Sequence, residues 1–344
     1  ASMALGNGRV HSRYEAWYNS VITKPAPPSG FKAYIATPAN GKQKLTYFVY
    51  TPVVNGYLTA TKTSAQPAVT NGNSCYTLNG AEYGVYSNSA CTSKVGTLTF
   101  NASGKANTLT LQAGTYYLKE TKAPAGYSLS SAVTSATVTA GNTTNASVTN
   151  RPQLDPIGVL VSKVDADTNQ NVAEGAGTLQ GAQFTVKYYV GNYSSDPAAQ
   201  GVAPTRKWVF ETDADGFCYF SSAYLVSGDA FYTNSSGIPS LPLGTVTIQE
   251  TKAPEGYLLN PEVYVRQILA NGNAENVDTY NYPIIKENSL KLDLVKKQEG
   301  TEIVIPGVVF EHTTQNGVVS NYTTDNAGTL TIKGLEHGTH TLRE

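Results

Sequence analysis

The sequence predicts an all-β protein of two or three domains, and three observations predict it. The 344 residues include 31 Gly and 23 Tyr but one Met, in a chain full of Thr and Val, a usage that favours strands and turns over helices. The length is two to three times that of a common domain, enough for several separate cores. The chain also repeats one strand plan three times, and self-similarity of this kind decides architecture before any single motif does.

The elements follow the same order in each copy. A first alternating strand ends in lysine: YLTATK at Lys62, VLVSK at Lys163 and LKLDLVK at Lys296. A second strand follows a small-residue turn in LNGAEYGVY, LQGAQFTVKYY and IPGVVFEH. A turn holding Gly104, Gly216 or Gly328 comes next, then a strand ending in glutamate: GTYYLKE at Glu120, GTVTIQE at Glu250 and GTHTLRE at Glu344. The first two copies continue into TKAPAGY and TKAPEGY, where Pro and Gly two residues apart enforce a turn that Tyr127 or Tyr257 can pack beneath. They close with SVTNRP at Asn150 and DTYNYP at Asn281, whereas the sequence of the third stops at Glu344, before any such strand. The expected domains are therefore 56–153, 154–285 with inserted loops, and 286–344 as an incomplete, poorly ordered copy. Residues 1–55 match no copy and look like a linker plus the last strands of an upstream module.

Side-chain parity along these strands carries the chemistry, because alternate residues face opposite sides and one face of a sandwich sheet is core. Leu58 and Ala60 share a face with Lys62, Tyr116 and Leu118 with Glu120, and Ala146 and Val148 with Asn150. The second copy aligns Val159 and Val161 with Lys163, Val246 and Ile248 with Glu250, and Val277 and Thr279 with Asn281. One lone Lys or Glu at a strand end would be expected to snorkel to water. Repetition argues against that, and a structural ion pair would need no Asn and would stabilise little after desolvation. The alternative is a self-made covalent bond. Burial lowers the Lys pKa and raises that of Glu, so a neutral amine can attack the Asn carboxamide carbon while Glu shuttles protons and ammonia leaves.

The Lys-ending first strand, the GA-x-[YF] second strand, the [KQ]-E-T-K-A-P-x-G-Y box and the closing Asn-x-Pro resemble the Cna B-type, or SpaA-type, domains of Gram-positive surface proteins and sortase-assembled pilins, over roughly residues 55–344. The resemblance implies tandem Greek-key β-sandwiches of reversed immunoglobulin type with intramolecular Lys–Asn isopeptide bonds. Carried over by motif, these are Lys62–Asn150 with Glu120 and Lys163–Asn281 with Glu250; Lys296 and Glu344 match in the third copy, but their Asn is missing. The implied role is a structural stalk or adhesin segment of an extracellular, cell-wall-anchored protein, not an enzyme beyond one self-directed turnover. A host-ligand-binding adhesin, a pilin subunit and a secreted glycan-active enzyme are the competing readings. The sequence holds no V-Y-P-K-type pilin motif, which favours a single-chain stalk or adhesin over a polymerised shaft; the missing LPxTG-like signal is expected from truncation, and no Cys precedes Cys75 to serve as a thioester nucleophile.

Partners and further sites are bounded by composition. With 24 Lys plus Arg against 25 Asp plus Glu and no long run of either sign, nucleic acid is an unsuitable partner. No window carries the roughly 18–20 apolar residues that span a bilayer, and ASMALGNGRV lacks a signal-peptide core, so a soluble monomer without membrane contact is expected, with ends that look like cuts within a longer protein. Three cysteines allow one disulfide, for which Cys75 and Cys91 are the candidates, while Cys218 reads as core. The Tyr/Ser/Gly/Asn-rich insertions of the second copy suggest contact with a host matrix protein or glycan through Tyr193, Trp208, Tyr224 and Tyr232. No cofactor or metal is expected. In DADGF a calcium loop starting at Glu211 would need its last carboxylate where Ser222 stands, and His337 and His340, three apart in a strand, face opposite sides.

Overall fold

The computed structural model describes residues 54–344 and two strands before them, β1 (Phe31–Ala36) and β2 (Leu45–Tyr50), which pair antiparallel. The remainder of the expected linker lies outside the described residues. Strands dominate the rest, and the expectation of an all-β chain holds.

The first sandwich comprises β3 (Asn55–Ser64), β4 (Glu82–Tyr86), β5 (Lys94–Thr99), β6 (Leu109–Gln112), β7 (Gly114–Lys122), β8 (Val133–Val138) and β9 (Thr143–Asn150). One sheet runs β6-β3-β9 and faces a second, β5-β4-β7-β8. The first and last strands, β3 and β9, are parallel neighbours, with Lys62 opposite Val148 and Ser64 opposite Asn150. Parity works as the sequence indicates: Leu58, Ala60 and Lys62 are buried with Leu118, Glu120, Val148 and Asn150, around Tyr83, Val85, Leu98 and Phe100.

The second sandwich contains β10 (Leu154–Asp155), β11 (Val159–Asp165), β12 (Gln183–Tyr189), β13 (Arg206–Glu211), β14 (Phe217–Tyr219), β15 (Leu225–Gly228), β16 (Leu241–Pro242), β17 (Gly244–Lys252), β18 (Val263–Ile268) and β19 (Ile284–Glu287). Its sheets are β14-β11-β19 and β15-β13-β12-β17-β18, the same plan enlarged by the insertions. The last strand is not DTYN. Asp155 Oδ2 accepts the backbone N–H groups of Thr279 and Tyr280 at 2.7 and 2.9 Å, which holds that stretch as a loop. The strand begins only after Pro283, which has no N–H to give a ladder. It runs to Glu287, past the expected boundary at 285.

The third copy forms β20 (Lys291–Val295), β21 (Val309–Thr313), β22 (Val319–Thr323), β23 (Thr329–Lys333) and β24 (Thr341–Arg343), in sheets β20-β23 and β22-β21-β24. Phe310, Leu330 and Ile332 fill a small core, so the copy is folded where poor order was expected.

One glycine recurs for a steric reason. Gly104, Gly216 and Gly328 have φ of 72°, 74° and 69°, and each carbonyl accepts the N–H of the first-strand lysine, at 2.7, 2.8 and 2.8 Å. A Cβ at Gly104 would lie 2.2 Å from the Lys62 carbonyl oxygen, so only glycine allows both the left-handed turn and this approach.

The first two sandwiches are joined through a shared core. Val69 of the short helix α1 (Pro67–Thr70), Tyr76 and Tyr127 pack with Leu154, Tyr188, Leu241 and Leu243. Tyr76 donates its hydroxyl to the Gln153 carbonyl at 2.7 Å and accepts the Leu243 N–H at 2.8 Å. Between the second and third, Lys333 lies 2.7 Å from Asp167 and 2.9 Å from Glu174.

Candidate functional site

Lys62 near the end of β3, Glu120 on β7 and Asn150 at the end of β9 meet inside the first sandwich, exposed by 1, 3 and 1%. Lys62 Nζ lies 2.8 Å from Glu120 Oε1 and donates to Asn150 Oδ1. Asn150 Nδ2 donates to Glu120 Oε2 and to the Ser128 carbonyl, both at 2.7 Å. Glu120 Oε2 also accepts the Ser130 N–H at 2.7 Å, which fixes the carboxylate between amine and carboxamide. Burial holds the Lys62 pKa below its ordinary value, against the opposing pull of Glu120.

A fourth member was not found from the sequence. The Tyr83 hydroxyl on β4 accepts from Lys62 Nζ at 3.3 Å and donates to Asn150 Oδ1 at 3.2 Å. It is the donor that would stabilise negative charge on that oxygen during attack at the carbon beneath it. Lys62 Nζ also stands 4.8 Å from the centre of the Tyr83 ring. The available signal was parity, since Tyr83 occupies a core-facing place across from Glu120.

In the second sandwich Lys163 and Glu250 meet as expected, both buried, and Glu250 Oε2 accepts the Asn260 N–H at 2.7 Å as Glu120 does that of Ser130. Asn281 is not with them. It is exposed, and its backbone carbonyl accepts from Arg266. The place of Asn150 belongs to Glu287, which lies opposite Asp165 in the parallel pairing with β11, two residues beyond Lys163, just as Asn150 lies two beyond Lys62. Further contacts fix the equivalence: Tyr127 bridges to Pro152, two residues past Asn150, and Tyr257 bridges to Ser289, two past Glu287. Asn281 was misleading because it follows Glu250 by 31 residues (281 − 250), close to the 30 between Glu120 and Asn150, whereas the true position is 37 residues on (287 − 250). The Tyr83 position holds Phe184, so the hydroxyl is missing there too.

Glu287 is fully buried, 3.0 Å from Lys163 Nζ, yet neither carboxyl oxygen has a hydrogen-bond partner; the approach of Lys163 lacks the alignment of one. Burial pushes the Glu287 pKa up to about 7, with repulsion from Glu250 adding to the rise and Lys163 opposing it. In the third copy Lys296 and Glu344 pair at 2.5 Å in the open, with side chains 27 and 54% exposed.

The other expected sites are corrected. Cys75 and Cys91 are free thiols, one before and one after β4, and no disulfide joins them. Cys218 is buried, as expected. Trp208 and Tyr232 are core, not contact surface: Trp208 is fully buried against Phe220 and Phe231, and Tyr232 packs edge-on to Tyr188. Tyr224 is half-buried with its hydroxyl donated to Asp213, and Tyr193 is half-buried beside β17. Asp213 caps its own turn, accepting from the N–H groups of Asp215 and Phe217. His340 pairs with His312 on β21 at 2.9 Å. Among the described residues no cluster of three metal-ligating side chains occurs, and no helix is long and apolar enough to cross a membrane.

Comparison with known proteins places these observations. No curated protein matches the chain. Among solved structures, the Bacillus anthracis TIE protein superposes with a TM-score of 0.50 at 23% identity, covering 91% of this chain and 52% of that one. This chain therefore spans about half the length of that relative. BcpA, the major pilin subunit of Bacillus cereus, aligns at TM-score 0.38 and 13% identity over 84% of this chain and 87% of its own. A C-terminal fragment of the pilus adhesin SpaC from Lactobacillus rhamnosus GG aligns at 0.32 and 17%, over 68 and 96%. At these identities the likeness is one of fold. The family model for the SpaA prealbumin-like fold domain matches residues 69–152, 158–283 and 290–344, one match per copy, and the chain belongs to that family of structural domains.

Proposed function

We propose that this chain is a load-bearing segment of a Gram-positive cell-surface protein whose first sandwich is closed by an amide between Lys62 and Asn150. The observation that carries the reading is the buried Lys62–Glu120–Asn150 cluster, which joins the first strand to the last. Lys62 enters as an ammonium facing the Glu120 carboxylate. Glu120 takes one proton, the amine attacks the Asn150 carboxamide carbon while Tyr83 and the remaining N–H groups face its oxygen, and a second lysine proton leaves with the amide nitrogen as ammonia. One proton stays on the new amide and one on Glu120, so the cluster starts as a buried ion pair and ends neutral. Burial excludes water that would hydrolyse the new amide.

The consequence is mechanical. Lys62 and Asn150 are 88 residues apart in the chain, so the amide puts almost the whole sandwich inside a covalent loop. Tension would pass from β3 to β9 through a bond instead of unzipping a ladder. Pulling the chain by its ends tests this: the locked loop should withhold about 30 nm of extension that the opened sandwich would otherwise release. Release of that length from the first sandwich would overturn the reading.

A further inference from the structure

We infer that the second sandwich also crosslinks itself, between Lys163 and Glu287, by a different reaction that expels water. This rests on the reading of the first cluster as a self-crosslinking site and extends it to an acceptor that is an acid, not an amide.

The placement is the argument. Glu287 stands at the acceptor position by register, at the end of the last strand and parallel to the lysine strand. Its extra methylene brings Oε1 to 3.0 Å from Lys163 Nζ, in a site where Lys163, Glu250 and Glu287 are at most 2% exposed. Two carboxyl groups share one ammonium there, and like charges confined together in low dielectric force one to keep its proton. The two oxygens of Glu287 have no hydrogen-bond partner, the condition folds normally avoid for a buried carboxylate. Glu250 already accepts from Lys163 and from the Asn260 N–H while neither Glu287 oxygen accepts from any group, so Glu287 is the member placed to keep its proton. A carboxylic acid is a better electrophile than a carboxamide, which fits the loss of the tyrosine hydroxyl at Phe184.

The step balances without a co-reactant. Of the three protons on the Lys163 ammonium, one passes to Glu250, one remains on the new amide, and one leaves with the Glu287 hydroxyl as water. The Nζ–Cδ bond forms, the Cδ–OH bond breaks, and nothing is oxidised or reduced. A buried, underbonded carboxyl is exchanged for an amide, while Glu250 ends protonated.

High-resolution mass spectrometry of the whole chain and its tryptic peptides tests this. Closure in the second sandwich should remove about 18 Da, against about 17 Da for ammonia in the first. It should yield a branched peptide in which the segment starting at Glu287, freed by cleavage after Lys286, is joined to the one containing an uncleaved Lys163. Glu287→Gln should close with loss of ammonia to the same product, so the closed variant and closed wild type should have equal masses, whereas open chains differ by about 1 Da. Glu287→Ala should abolish the branched peptide. Free Lys163 and Glu287 peptides from wild type, alongside a branched Lys62–Asn150 peptide, would overturn this inference alone. Absence of both branched peptides would overturn the proposed function with it.

Discussion

Replacing Glu120 by alanine removes the one carboxylate paired with Lys62 among the described residues, and the group that bridges it to Asn150. Without it the lysine has no proton acceptor, so the bond should not form and the chain should retain the ammonia that a crosslinked wild type would lose, about 17 Da beyond the change of side chain. The stability effect follows from the loop. An 88-residue closure restricts the unfolded chain by about 4–5 kcal/mol on the entropic model. Lys62, 1% exposed, is also left in the core without its counter-ion, a loss on the order of 3–5 kcal/mol when one partner of a buried pair is removed. The unpaired lysine would exist only in the variant, so its desolvation adds to the lost loop, and the loop figure is a lower bound for the comparison with a crosslinked wild type. For a sandwich of roughly 100 residues that corresponds to a fall in Tm of some 20–30 °C in the transition of this module. Intact mass and calorimetry on the same sample check both numbers. A variant whose mass falls below its calculated value by one ammonia, or whose transition is unmoved, would refute the assignment of Glu120.

Two further outcomes follow from the same clusters. Tyr83→Phe removes the hydroxyl 3.2 Å from Asn150 Oδ1 while keeping the ring, so closure should slow by about tenfold or more without loss of the final product; sampling freshly refolded protein by mass over time measures this, and an unchanged rate would remove Tyr83 from the chemistry. In Lys163→Arg, which keeps the cation but cannot form the amide, Glu287 should make the second sandwich pH-dependent. Its folded pKa of about 7 lies above the ordinary 4.5, so the folded state binds the proton more tightly. That stabilisation is complete below about pH 4.5, declines as pH rises and is gone above about 7, a change of about 3 kcal/mol readable as a shift in the urea midpoint. Wild type closed through Glu287 should lack this titration, and a flat profile in the variant would contradict the buried acid.

The sequence by itself determined a great deal of this protein. Three copies of one plan, the strand class, the inward parity of Lys62, Glu120 and Asn150, and the burial of Tyr127 and Tyr257 under their turns are all set by local alternation and turn chemistry, which depend on a few neighbouring residues. Tertiary structure decided what depends on pairing between distant strands. Glu287, not Asn281, faces Lys163 because Asp155 captures the backbone at Thr279 and Tyr280 and Pro283 delays the last strand, and the Asp155 contacts come from 124 and 125 residues away in the chain. Trp208 and Tyr232 lie in a composition typical of exposed loops, yet the core formed with Phe220 and Phe231 takes them in, since whether an aromatic is surface or core depends on what the rest of the chain brings against it. Tyr83 and Phe184 share the same strand position, and only the three-dimensional cluster shows that the single hydroxyl between them lies where a carbonyl would be attacked. Alternation fixes which face a residue takes; register, set by contacts far apart in the chain, fixes which residue it meets.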